Sequence, residues 1–217
     1  MRDADIISRL AEACVANARD FNTQDAANSL WALAALNFRD AAVWRRIADA
    51  FPRASPISVE QAGQLLQSAL ASRAWLHDEP LFDAAFLVRC RDIIASEPPP
   101  ARPTSGHREV LASLARLNFA ATSEALVLDG LHSVDALVRL SDGREVAVEF
   151  DGPTHFLHSL TAPERVEGGA SSASAARTPE TNGSTRLRDR LLVEGGYLVV
   201  SIPYWEWDAL CGSGAQD

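Results

Sequence analysis

Apolar residues in the first hundred positions recur three and four apart, the spacing that gathers them on one side of a helix. Ala27, Leu30, Trp31, Ala34 and Leu36 follow Asn22 and Thr23, which offer a helix cap. After a break at 37–40, the positions Ala42, Val43, Ile47 and Phe51 mark a second helix that stops before Pro52. Ser58 then caps a segment with Ala62, Leu65, Leu66 and Ala69 on one face, and another helix is predicted over about residues 79–94. Laying residues 27–31 over 62–66 gives an offset of 35 residues. Helix pairs repeating in the mid-thirties are the signature of a stacked solenoid, each pair burying its face on the next. An opening helix over about residues 6–18 would be the second half of a preceding pair, so the chain is expected to be the end of a longer array or a shortened descendant of one. An ordinary helical bundle with Trp31 in its core is the alternative reading.

The pattern changes at Glu97-Pro98-Pro99-Pro100-Ala101-Arg102-Pro103, because repeated proline cannot continue a helix. The predicted organisation is an all-α helical-repeat segment over 1–96, a Pro-rich linker over 97–104, and an α/β domain over 105–210. That domain opens with a short helix (Val110, Leu111, Leu114, Leu117). Strands follow over 133–140 and 145–150, joined by Ser141-Asp142-Gly143, where Asp-Gly signals a hairpin. Residues 161–181 are low in complexity and read as an inserted loop. A helix over 185–194, a strand over 197–202 and a final turn begun by Pro203 complete the order.

The chain has 217 residues and a net charge of −9, from 20 basic and 29 acidic residues. That balance argues against nucleic-acid binding by bulk charge, since phosphate affinity rests on arginine and lysine. Every basic residue is arginine, the planar, stacking cation, although coding bias explains this as well, and the high alanine content points that way. Cys14, Cys90 and Cys211 are odd in number and lack metal-ligand spacing, so neither a disulfide framework nor a zinc site is expected. No apolar run approaches the ~18 residues of a membrane span. The N-terminus mixes Asp3, Asp5 and Glu12 with Arg2 and Arg9, the profile of neither a secretory signal nor a transit peptide.

Candidate chemistry concentrates in the last third. Asp135 lies within Ser-Val-Asp-Ala-Leu-Val, where an inward carboxylate is costly unless paired. Glu149 and Asp151 alternate on the next strand and so face one side. The hairpin would bring Asp135 near Glu149, and the turn at Gly152 would let His155 swing back. Three carboxylates so gathered would hold Mg²⁺ or Mn²⁺, with His155 assisting proton transfer; a structural turn whose carboxylates cap backbone amides is the alternative. Arg186 and Arg190 share a helix face, and Tyr204, Trp205 and Trp207 offer stacking surfaces for bases or packing for the final turn. The other histidines, His77, His107, His132 and His158, show no ligand spacing and read as surface or core residues.

Two strings, Val148-Glu149-Phe150-Asp151-Gly152-Pro153-Thr154-His155-Phe156 and Gly196-Tyr197-Leu198-Val199-Val200-Ser201-Ile202-Pro203-Tyr204-Trp205-Glu206-Trp207, resemble the RAP domain. The segment 22–38, with its Ser-Leu-Trp-Ala-Leu-Ala core, is similar to the octotricopeptide-type and FAST-kinase-associated helical repeats that often precede it; no kinase motif is present. The resemblance, over roughly residues 106–210, implies a restriction-endonuclease-like α/β fold. In that family's pattern Asp135 matches the first Asp and Glu149 the Glu, while Asp151 stands where a Lys is expected. The Vsr-like branch, with an acidic-Asp-Gly-x-x-His string, makes Asp151 and His155 a plausible substitute. The role implied is RNA binding in organellar RNA processing, stability or ribosomal-RNA maturation, with Arg186, Arg190, Tyr204, Trp205 and Trp207 as contacts and no cofactor required. The alternatives are an endonuclease using Mg²⁺ or Mn²⁺ at Asp135, Glu149 and Asp151, and a non-catalytic protein-interaction scaffold. Implied partners are single-stranded or structured RNA and other organellar RNA-processing proteins, with no membrane. The implied location is mitochondrion or chloroplast, and the cytoplasm otherwise.

Overall fold

The computed structural model describes residues 4–76, 79–96, 104–157 and 179–213, without side chains for the last three. The Pro-rich linker, except Thr104, and the insertion at 161–181, except its last three residues, lie outside the described residues, as do His77 and His158.

Among the described residues five α-helices precede the linker: α1 (Ala4–Asn17), α2 (Thr23–Ala35), α3 (Ala41–Ala50), α4 (Val59–Arg73) and α5 (Ala84–Ala95). Their starts are written in the sequence. Asn22 and Ser58 each accept from a backbone N–H three residues on, and the side chain of that third residue reaches back to the cap amide. Both are capping boxes. Asp40 and Asp83 cap α3 and α5. The last helix therefore begins at Ala84, later than its periodicity alone suggests.

The 35-residue offset appears in three dimensions. Ala27 and Leu30 on α2 and their counterparts Ala62 and Leu65 on α4 are all fully buried in one core. The two helices pack together, and polar residues cross-link them: Gln61 Nε2 donates to Gln24 Oε1 at 2.9 Å, Gln64 Nε2 to Asn28 Oδ1 at 3.0 Å, and Trp31 Nε1 to Gln67 Oε1 at 2.7 Å. Trp31 is thus only partly buried, and the tryptophan at the centre is Trp44, whose Nε1 donates to Phe38 O at 2.8 Å. Leu36, past the end of α2, is exposed.

Beyond the linker come α6 (Ser105–Arg116), β1 (Ala121–Val127), β2 (His132–Arg139), β3 (Glu145–Asp151), α7 (Gly183–Glu194), β4 (Leu198–Pro203) and α8 (Tyr204–Ser213). The four strands lie side by side in chain order; β1, β2 and β3 are antiparallel and β4 is parallel to β3. The β2–β3 turn forms at Asp142-Gly143, and Gly143 takes φ +87°, a conformation that Cβ-bearing residues resist. The parallel β4 needs a crossover, and α7 supplies it.

Adjacent residues of β3 point to opposite faces of the sheet. Ala147 joins a cluster with Val134 and with Leu192 of α7, whereas Val148 joins one with Ala136, Val138 and Val110 of α6, against which Trp207 of α8 packs. α7 also turns Leu187 and Leu191 into the core of the N-terminal helices. It is the shared element of the molecule, packed on α2 and α4 along one side and on the sheet along the other. The helical segment is therefore followed by an α/β unit with a small mixed sheet.

Candidate functional site

The C-terminal end of β3 carries the expected carboxylates. Glu149 and Asp151 point to one side, as their alternation requires, and both are buried. Arg188 of α7 lies between them. Its Nη1 and Nη2 donate to Asp151 Oδ1 and Oδ2 at 3.0 and 3.3 Å, a two-pronged pair, and its Nη1 stands 3.4 Å from Glu149 Oε2. Nε and Nη2 also donate to Asp189 Oδ1 at 2.9 and 2.7 Å. Burial opposes the charge of this guanidinium, but Glu149, Asp151 and Asp189 outweigh it and strengthen its hold on the proton. Burial likewise works to raise the Asp151 carboxyl, but hydrogen bonds from His155 and Arg188 and their charge hold it below its ordinary value.

His155 does swing back. The turn Pro153–His155 places its Nδ1 3.0 Å from Asp151 Oδ1. Asn182, the cap of α7, fixes that turn: its N–H donates to His155 O at 2.9 Å and its Nδ2 to Thr154 O at 2.7 Å. With Nδ1–H donating to Asp151, the imidazole is oriented and its Nε2 is left for proton exchange, the buried-acid and histidine pairing that general acid–base chemistry uses.

The hairpin register puts Ala136 opposite Val148, so Asp135 and Glu149 are the next residues along. The ladder stops there, and Asp135 Oδ2 takes over by accepting the Phe150 N–H at 2.7 Å. Asp135 Oδ1 lies 3.5 Å from Nδ1 of His107. The three expected metal ligands therefore do not gather as a set: Glu149 and Asp151 share a guanidinium, and Asp135 turns toward α6. That trio does not fit a divalent ion, because its positive charge is already supplied by Arg188. Glu149 Oε1 is left buried without a hydrogen bond among the described residues, with His132 Nε2 3.6 Å away.

Two clefts open on this floor, and Asp135, Glu149 and His155 line both. One, of about 530 Å³, lies against α2 and α4 and adds Trp31, Gln64, Gln67 and Arg188. The other, of about 660 Å³, lies against α6 and α8 and adds His107, Glu124, Tyr204 and Trp207. Trp205 instead packs edge-on against Phe156, with ring centres 4.4 Å apart, and Trp207 Nε1 donates to Glu109 Oε2 at 2.9 Å. Of the expected arginine contacts, Arg186 donates from Nε to Thr181 O at 2.8 Å and pairs with Glu180, while Arg190 Nη2 donates to Ala34 O, tying α7 to the end of α2.

Reading residue types missed His107, Glu124, His132 and Arg188. The histidines, expected as surface or core residues, stand against the site's carboxylates. A signal existed for two of the four. His107 is three and seven residues before Val110 and Leu114, and Arg188 lies between Thr185 and Leu192 at helical spacing. His107 stands on an otherwise apolar stripe and Arg188 beside Leu191 and Leu192; both are ionisable, and both are buried.

Residues 148–217 match the family model of the RAP domain. This segment is a RAP domain. The match covers about a third of the chain and contains Glu149, Asp151, His155, Arg188 and the terminal aromatics. RAP domains are generally RNA-binding domains. No curated protein matches the chain. Among the described residues, no helix is long and apolar enough to cross a membrane.

Proposed function

We propose that the chain binds RNA in organellar RNA metabolism, in processing, stability or ribosomal-RNA maturation, and that its clefted RAP domain is the contact surface. The RAP match to residues 148–217 carries this reading. Tyr204 and Trp207, which line one cleft, give bases a stacking surface, and Trp31, Gln64 and Gln67 line the other. Arg186, at the outer end of α7, supplies a phosphate contact. The order of α6, three antiparallel strands, α7 and a parallel β4 supports a restriction-endonuclease-like ancestry for this half. A mitochondrial or chloroplast location follows from the same reading.

The test is fluorescence anisotropy with end-labelled single-stranded RNA at two salt concentrations. The Tyr204→Ala, Trp207→Ala double variant, shown folded by circular dichroism, is expected to lose about fivefold or more in affinity. Arg186→Ala is expected to flatten the salt dependence. Wild-type binding by both variants overturns the reading, and absence of affinity at low salt replaces it with a protein-interaction scaffold.

One observation favours a second reading. His155, held by the buried Asp151 and lining both clefts, has the placement of a proton acceptor for phosphodiester cleavage. Incubating RNA with the chain in Mn²⁺ or in EDTA and resolving the products on a gel decides it. Fragments that vanish in His155→Ala and Glu149→Ala support an endonuclease; a shift without fragments leaves binding alone.

A further inference from the structure

We propose that His107, Glu124 and Asp135 form a site for one divalent transition-metal cation of the Mn²⁺ or Zn²⁺ class, where α6 meets β1 and β2. It shares only Asp135 with the ligand set that the family resemblance implies, and it stands independently of the RNA-binding reading. Among the described residues, one donor atom from each of the three side chains lies within 4.8 Å of the other two. His107 Nδ1 is 3.2 Å from Glu124 Oε1 and 3.5 Å from Asp135 Oδ1. Two donors bound at about 2.1 Å to one ion, at tetrahedral to octahedral angles, stand about 3.0–3.4 Å apart.

The second observation is the burial and anchoring of the imidazole. His107 is 3% exposed, and its Nε2 lies 2.6 Å from the backbone oxygen of Asp135. A carbonyl oxygen has no hydrogen to give, so Nε2 is the N–H. In the neutral ring Nδ1 then carries only a lone pair, buried and aimed at two carboxylate oxygens. A metal cation held between them satisfies that arrangement, in the place a proton on Nδ1 would otherwise take. The distal atoms are already anchored as those of metal ligands are: Nε2 on the carbonyl, Asp135 Oδ2 on the Phe150 N–H at 2.7 Å, and Glu124 Oε2 on the Ser133 hydroxyl at 3.1 Å. Each residue presents its remaining donor atom to the common point. One imidazole with two carboxylates suits Mn²⁺ and Zn²⁺. The cleft beside it is lined by Glu109, Glu124, Asp135, Glu149 and Asp208 and, among the described residues, by no arginine. A bound cation offsets that charge where a phosphate would otherwise be repelled.

The experiment is isothermal titration of the full chain, stripped with chelator, with MnCl₂ and separately with ZnCl₂ in the absence of RNA. One ion per chain is expected for at least one metal. Glu124→Gln is the discriminating variant, since its side chain is 37% exposed and the change removes charge without touching the core. It is expected to weaken binding about tenfold or more, whereas Glu149→Gln leaves the affinity within about twofold. A wild-type chain that takes up neither metal overturns the site and makes His107 a protonated clasp between two acids. Binding that survives Glu124→Gln, or that is lost in Glu149→Gln, places the ion elsewhere and overturns it equally.

Discussion

In the helical layer the buried side chains are mostly alanine, leucine and phenylalanine, and some polar ones bond across one repeat, as Gln61 does on Gln24, while Gln64 Oε1 is left buried without a hydrogen bond among the described residues. Buried Ser68 and Ser72 fold their hydroxyls onto carbonyls of their own helix, Gln64 O and Ala69 O. On the floor of the clefts Asp151, Glu149 and Arg188 are buried together, and the ion pairs that join them run between β3 and α7. The first arrangement follows from local periodicity and stabilises by area removed from water. The second exposes the fold to a heavy penalty if one member is lost, while its net gain over an apolar filling is small. Here those charges frame two clefts and orient His155.

The most severe break of this comparison is Arg188→Met. It leaves two buried carboxylates without their cation, and the expected loss is about 3–5 kcal/mol in urea denaturation. Arg188→Lys keeps the charge but not the fork, so it should recover part of that loss. A loss below about 1 kcal/mol for Arg188→Met would show that the floor is no more demanding than the surface.

The counterpart in the helical layer is Leu65→Ala. Leu65 is fully buried at the α2–α4 contact, and its truncation is expected to cost about 2–5 kcal/mol while leaving the clefts' ion pairs in place. Ultraviolet circular dichroism during unfolding tells whether the two regions melt together. They should, because α7 gives Leu187 and Leu191 to one core and Leu192 to another.

Gly106→Ala probes the junction more gently. A Cβ at that position in α6 would stand 2.3 Å from Cε1 of Phe150, so the ring must shift. Overpacking of this kind costs about 1–3 kcal/mol, read as a lower midpoint of unfolding. The shift also reaches the Phe150 N–H that holds Asp135, so metal or RNA affinity should change along with stability. A stability change alone would show that α6 docks independently of the site.

How much of this was legible follows from the same contrast. The helices before the linker, the caps Asn22 and Ser58, the 35-residue offset and the Asp-Gly hairpin were read correctly in kind, whereas the caps Asp40, Asp83, Thr104 and Asn182 were not read and the final turn is the helix α8. β1 was not foreseen as a strand, because Thr122, Ser123 and Glu124 interrupt its alternation and Glu124 takes φ +50°. At the site, the alternation of Glu149 and Asp151 and the return of His155 could be read, since they lie within seven residues. Arg188 is separated by 37 residues from Asp151, and His107 by 28 from Asp135, so no spacing rule connects them. Only the place of an ionisable residue on or beside an apolar stripe hinted at either.

The smallest effect tests the electrostatics of the floor directly. The Asp151 carboxyl titrates below its ordinary value of 3.8, because the bonds and charge of His155 and Arg188 outweigh the effect of burial. A depressed acid contributes stability that is complete above the unfolded value, about 3.9, and is lost as pH falls through the lower, folded value. Stability measured from pH 6 down to pH 2 should therefore decline most steeply below about pH 4. In Asp151→Asn, which starts from a lower stability, that part of the slope should be reduced. The helical layer buries no carboxylate among its described residues, so Leu65→Ala should shift the whole curve without altering its shape. If Asp151→Asn and Leu65→Ala give parallel curves, Asp151 is not an anchored anion, and the floor differs from the helical layer in composition only.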